Sequence, residues 1–200
     1  MIQGPDIIIR VPVCMCLDIS GSMSGHMEAL NMVVRKFCKV MKEKTTASVF
    51  AEIAQINFGG GNFKENIVRC DPSYTSDGKP EIFQNTEVKV KENTPLGEAV
   101  LRALSALEER IKIYTEKGIS YAMPVLLLVS DGHGNTDPHA LQEAQEKVSM
   151  LVEEGKLMFI PVGIGDDIHR LNLQKFSPTR ELLSWRNIDF SNLLQFSLRD

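Results

Sequence analysis

Along this chain, apolar runs of strand length alternate with apolar stripes of helical spacing. The first run, "IIIRVPVCMCLDI" at residues 7 to 19, is rich in β-branched side chains and long enough for a central strand, with Pro12 confined to its early part. Residues 26 to 43 then set Met27, Leu30, Val34, Phe37 and Met41 on one stripe and turn Glu28, Arg35, Lys39 and Lys42 away, which predicts an amphipathic helix. "ASVFAEIAQINF" at residues 47 to 58 reads as a second strand, and "GGGN" as a hairpin turn into a short antiparallel partner, "FKENIVR". Residues 71 to 93 are polar and hold only "EIF" and "EVKV" as short strands. A second helix is predicted over 96 to 114, where Leu96, Val100, Ala103, Leu107, Ile111 and Tyr114 fall in register. "MPVLLLVS" and "LMFIPVGIG" are unbroken apolar runs, the mark of parallel strands covered on both faces. Between them Leu141, Ala144, Val148 and Leu151 form a third helical stripe with Gly155 as its stop, and residues 189 to 198 read as a closing helix.

That alternation predicts an α/β fold: a mostly parallel central sheet with one antiparallel edge strand, in a hairpin over residues 47 to 70, and helices on both faces. Residues 12 to 18 and 123 to 130 are expected to be neighbouring parallel strands. No internal repeat or low-complexity linker interrupts the pattern, so residues 1 to 200 are read as a single domain.

Composition narrows the function classes. A net charge of -4 with no Lys/Arg cluster argues against a nucleic-acid binder. The basic run "RKFCKVMKEK" falls where the first helix shows its solvent face. No apolar stretch approaches the roughly 20 residues of a membrane span, and "MIQGPD" lacks the regions of a signal peptide. Cys14, Cys16, Cys38 and Cys70 have no zinc-type spacing; Cys14 and Cys16 are expected as small core residues, reduced, in a cytoplasmic protein.

The chemistry gathers at predicted strand ends, where open α/β sheets bind ligands. "CMCLDIS" ends at Asp18, "LLLVSDG" ends at Asp131, and "NTPLGEAV" opens a helix at Thr94. In "LDISGSM", Asp18, Ser20 and Ser22 alternate around Gly21. A nucleophile, a helix cap or one edge of a metal site would each use such residues. Capping explains one polar residue better than three alternating ones. If the three segments converge, the donors are all oxygen, which suits a hard cation such as Mg²⁺ rather than zinc.

In this order and spacing, D-x-S-x-S, then T-P-L-G-E-A, then S-D-G resembles the metal-ion-dependent adhesion site of von Willebrand factor type A domains, which have a Rossmann-like fold. The likeness covers nearly the whole chain and is strongest to bacterial cytosolic members associated with tellurite-resistance and stress operons. It implies that Ser20 and Ser22 ligate Mg²⁺ or Mn²⁺ directly, Thr94 directly or through water, and Asp18 and Asp131 largely through water. It also implies that an Asp or Glu of a protein partner completes the shell, the partner being a kinase or phosphatase encoded nearby. The expected function is therefore metal-dependent capture of another protein, without catalysis.

Other readings of the same residues are simpler. Thr94 before Pro95 has the look of an ordinary N-cap, and is expected to cap as well as ligate. Asp137 before Pro138 has the same look with no partner motif and is read as structural. His26 and His133 are placed on the rim, because imidazole suits softer metals. Asp166 and Asp167 follow another strand end and would serve equally as rim or helix start. The competing function is a metal-dependent phosphate-ester hydrolase using Asp18 and Asp131. Against it, the position two after Asp18 is Ser20 rather than a general acid, "GSMSG" has Met23 where a nucleophile elbow needs Ser, and no P-loop ending is present.

Overall fold

The computed structural model describes residues 9–44, 49–59, 67–69, 94–134, 137–165, 169–179 and 181–193. β1 (Ile9–Asp18) is buried from Val11 onward. β4 (Val125–Ser130) and β5 (Met158–Gly163) are buried at every position, as unbroken apolar runs require. With β2 (Val49–Phe58) and the two-residue β6 (Leu183–Ser184) they form five parallel strands in the order β2-β1-β4-β5-β6. Outside β2, the three residues of β3 (Ile67–Arg69) pair antiparallel, Ile56 opposite Ile67. The expected hairpin turn and the short strands in 71 to 93 lie outside the described residues.

Two apolar layers follow from the strand period of two. Val13, Met15 and Leu17 face α1 (Met27–Lys44), packing with Leu30, Val33, Val34 and Phe37. Cys14 and Cys16 point the other way, into the layer formed with α2 (Leu96–Glu116) and α3 (Pro138–Glu153). Both thiols are core groups as expected, and burial pushes that of Cys14 up to about 12. The second layer is tight where the helices cross: a Cβ on Gly97 would stand 2.4 Å from the backbone nitrogen of Leu141. Two short helices complete the described chain, α4 (Arg170–Gln174) and α5 (Phe190–Leu193).

One expected cap takes a different form. α2 starts at Leu96 with Pro95, not Thr94, at the N-cap position, and the Pro95 side chain makes no cap hydrogen bond. Pro95 at φ -74°, ψ 65° makes an inverse γ-turn in which Leu96 N–H donates to Thr94 C=O at 2.8 Å. The γ-turn satisfies one orphan amide of the helix start through the backbone. Asp137 does cap α3, accepting from His139 N–H at 2.9 Å, with Pro138 in the first turn.

Candidate metal-binding site

Parallel pairing sets the site. β1 and β4 are adjacent, with Leu17 opposite Val129, so Asp18 and Ser130 end their strands side by side at the carboxyl edge of the sheet. Beyond Asp18 the chain folds into a tight turn. Ser20 N–H donates to Asp18 Oδ1 at 2.9 Å, and Ile19 N–H donates to Phe58 C=O at 2.8 Å. Met23 N–H donates to Ser20 C=O at 3.0 Å, opening a 3₁₀ segment (Gly21–His26) that the fully buried Met23 anchors. The Ser20 and Ser22 hydroxyl oxygens stand 3.1 Å apart, Ser20 buried and Ser22 exposed. Gly59, at φ +108°, presses its backbone against this turn: a Cβ there would be 2.5 Å from Ser20 N. Only glycine fits both that φ and that approach.

From the β4 side, the Ser130 hydroxyl donates to Asp18 Oδ2 at 2.6 Å and accepts from Gly132 N–H at 2.9 Å. Asp131 is 3% exposed; its Oδ1 accepts from His133 N–H at 2.9 Å and its carbonyl from His169 N–H at 2.8 Å. Thr94 is buried and borders the same loop, since a Cβ on Gly134 would lie 3.8 Å from the Thr94 carbonyl oxygen. The structure thus joins Asp18, Ser20, Ser22 and the Asp131 loop through hydrogen bonds and sets Thr94 against that loop.

Burial works against charge at this site. Burial raises the Asp18 carboxyl from its ordinary 3.8 to about 6; hydrogen bonds from Ser130 and Ser20 work against the rise, and the Asp131 charge adds to it. No lysine or arginine among the described residues pairs with Asp18. Among the described residues no group of three or more His, Cys, Asp or Glu side chains is placed to hold a metal ion. A cation here would rely on two carboxylates together with neutral hydroxyls, an all-oxygen set.

His26 is half-buried with Nε2 3.4 Å from a Cβ built on Gly165, and His133 packs its ring on His169, centroids 4.4 Å apart. Asp166 and Asp167 lie outside the described residues. Two residues were given no role by the sequence pattern, although one of them, Ser130, stands in the S-D-G motif. His169 follows the β5 end with no motif of its own. Ser130 reads as the last position of an apolar strand, and only the register with β1 reveals that it faces Asp18.

No protein-family model and no curated protein matches this sequence. Solved structures do. A manganese-loaded TRAP protein of Plasmodium vivax aligns with a TM-score of 0.62 at 15% identity, over 92% of this chain and 72% of that one. The SpRpn10 VWA domain aligns at 0.55 and 14% identity, over 96% of both chains. The fold is that of a von Willebrand factor A domain. A third A-domain match, the pilus adhesin SpaC of Lactobacillus rhamnosus GG in its open conformation, gives 0.58 at 12% identity over 97% of this chain and 29% of that one. At such identities the likeness extends to the fold alone. In this A-domain fold, the loops carrying Asp18, Ser20, Ser22, Thr94 and Asp131 meet at the carboxyl edge of the sheet.

Proposed function

We propose that the protein is a divalent-metal-dependent interaction module that captures an acidic side chain of a protein partner. Asp18 carries the reading: a fully buried carboxylate beside Asp131, with no lysine or arginine pairing with it among the described residues, is costly unless a cation joins it. Mg²⁺ or Mn²⁺ would be held by the hydroxyl oxygens of Ser20, Ser22 and Thr94, with Asp18 and Asp131 acting directly or through water. The manganese in the TRAP protein's structure supports such an ion in this fold.

Neutral hydroxyls leave a divalent charge incompletely balanced, so the bound ion supplies an electrophilic position that favours an incoming carboxylate. Asp18 and Ser20 fix the cup, while exposed Ser22 opens it to a partner. The partner is proposed as a protein bearing Asp or Glu, in a cytoplasmic, tellurite-resistance-like stress or signalling assembly, a kinase or phosphatase of the same operon being the first candidate. Among the described residues no helix is long and apolar enough to cross a membrane. The hydrolase reading is the weaker one. Both Asp18 oxygens accept hydrogen bonds, from Ser20 N–H and the Ser130 hydroxyl, which suits a positioning carboxylate better than a nucleophile.

Affinity capture from native cytosol in Mg²⁺, repeated in EDTA and with Ser20→Ala/Ser22→Ala, tests this. Capture of one defined protein should be lost in EDTA and in the double variant alike, and chelation should add little to the double variant. His26→Ala and His133→Ala should weaken capture less. A partner that stays bound both in EDTA and to the double variant would overturn the proposal.

A further inference from the structure

We propose that Ser130 is a positioning residue of this cup, its hydroxyl holding the Asp18 carboxylate and the Asp131 loop in the one arrangement that fits a divalent cation. The inference rests on the metal reading above and adds to it a residue outside the ligand set.

Hydrogen-bond direction is settled by chemistry. Gly132 N–H can only donate, so Ser130 Oγ accepts from it at 2.9 Å. The single hydroxyl proton then goes to Asp18 Oδ2, 2.6 Å away, which as a carboxylate can only accept. Ser130 is fully buried, so no bulk water competes for either bond. Asp18 Oδ1 is held by Ser20 N–H, so the carboxylate is gripped at both oxygens and its plane cannot turn. The Ser20 side chain bonds the carboxylate as well, and the lone pair that these three donors leave among the four is open to a cation or a cation-bound water. Because Gly132 follows Asp131 directly, the same hydroxyl ties the two carboxylates' loops together across the β1–β4 seam.

A plain structural role would be narrower. A serine accepting from the amide two residues on is an ordinary turn device, and it asks nothing of Asp18. The short bond to Asp18, 112 positions away in sequence, is what that role leaves unexplained. Outer-shell partners of metal ligands alter affinity by orienting the ligand, and their loss costs roughly ten- to a hundredfold.

Mn²⁺ titration of the isolated chain, by calorimetry and by the paramagnetic resonance signal of free Mn²⁺, separates the roles. Ser130→Ala should bind Mn²⁺ roughly ten- to a hundredfold more weakly than the parent, and Ser130→Thr, which keeps the hydroxyl, should stay within about threefold. Thr and Val differ in shape by little more than that hydroxyl, so Ser130→Val should behave as Ser130→Ala does. This pair decides the matter if Ser130→Ala does not fold, as judged by circular dichroism in EDTA. Parent affinity in Ser130→Ala or Ser130→Val, or a loss in Ser130→Thr equal to theirs, would overturn the inference and leave the metal reading standing. A parent chain that binds no Mn²⁺ would overturn both.

Discussion

Burial withholds water from the Asp18 carboxylate and disfavours its charged form, and that has a measurable sign. In the metal-free chain its carboxyl is raised to about 6 from the ordinary 3.8, so the folded state binds this proton more tightly than the unfolded state. Its contribution to stability is therefore fully present below about pH 4 and is lost as pH rises through about 6, by on the order of 3 kcal/mol. Asp18→Asn removes the titration. In EDTA the melting temperature of the parent should fall relative to the variant between pH 4 and 7, and Mg²⁺ at pH 7 should raise only the parent; parallel profiles would refute this. Gly59→Ala offers a second test, because its φ of +108° and a Cβ 2.5 Å from Ser20 N leave no room. It should destabilise by at least about 1 kcal/mol and weaken Mn²⁺ binding, since Ser20 must shift. Thr94 stands one residue before the N-cap position expected of it, and its carbonyl accepts from Leu96 N–H in the Pro95 γ-turn. The motif residues were legible because strand ends and hydroxyl spacing are local signals. Ser130 stands in the S-D-G motif, but its role there was not legible, because it comes from a carboxylate 112 positions away.

Among elements, the long ones announced themselves. β1, β4 and β5 are continuous apolar runs because both faces are covered, and α1, α2 and α3 carry stripes at helical spacing. α4, with five residues, and β6, with two, are too short for any period to emerge and exist through contacts made elsewhere. The α4 start, for example, is fastened by His169 N–H to Asp131 C=O and by Asn172 Nδ2 to Gly132 C=O at 3.0 Å. The α2–α3 crossing gives a prediction in which two effects oppose. Gly97→Ala gains about 1 kcal/mol of helix propensity. The added Cβ, however, would meet Leu141 N at 2.4 Å, against backbone that cannot swing aside. Packing should win, so urea unfolding should show Gly97→Ala less stable than the parent; a stabilised variant would mean the helices separate freely.

For the whole molecule, the two ends of the sheet do different work. The carboxyl edge holds two buried carboxylates, neither in an ion pair with Lys or Arg among the described residues. Toward the amino ends, Glu52 is balanced by Arg10 at 3.6 Å, by Arg110, and by the Tyr114 hydroxyl donating at 2.7 Å. The two apolar layers hold most of the buried apolar surface, so cup variants should lose binding while keeping the fold. Removing a charge relieves repulsion, and Asp18→Asn, which keeps an acceptor for the buried donors, should unfold no more readily than the parent in EDTA at pH 7 while binding Mn²⁺ more weakly. The most direct test of the central claim, that hydroxyls at the carboxyl edge hold a divalent cation, is a calorimetric Mn²⁺ titration of the parent and of Ser20→Ala/Ser22→Ala. One weak site per parent chain and no detectable binding to the double variant are expected, with the circular dichroism of the two chains alike. Equal Mn²⁺ affinity in the two chains would contradict it.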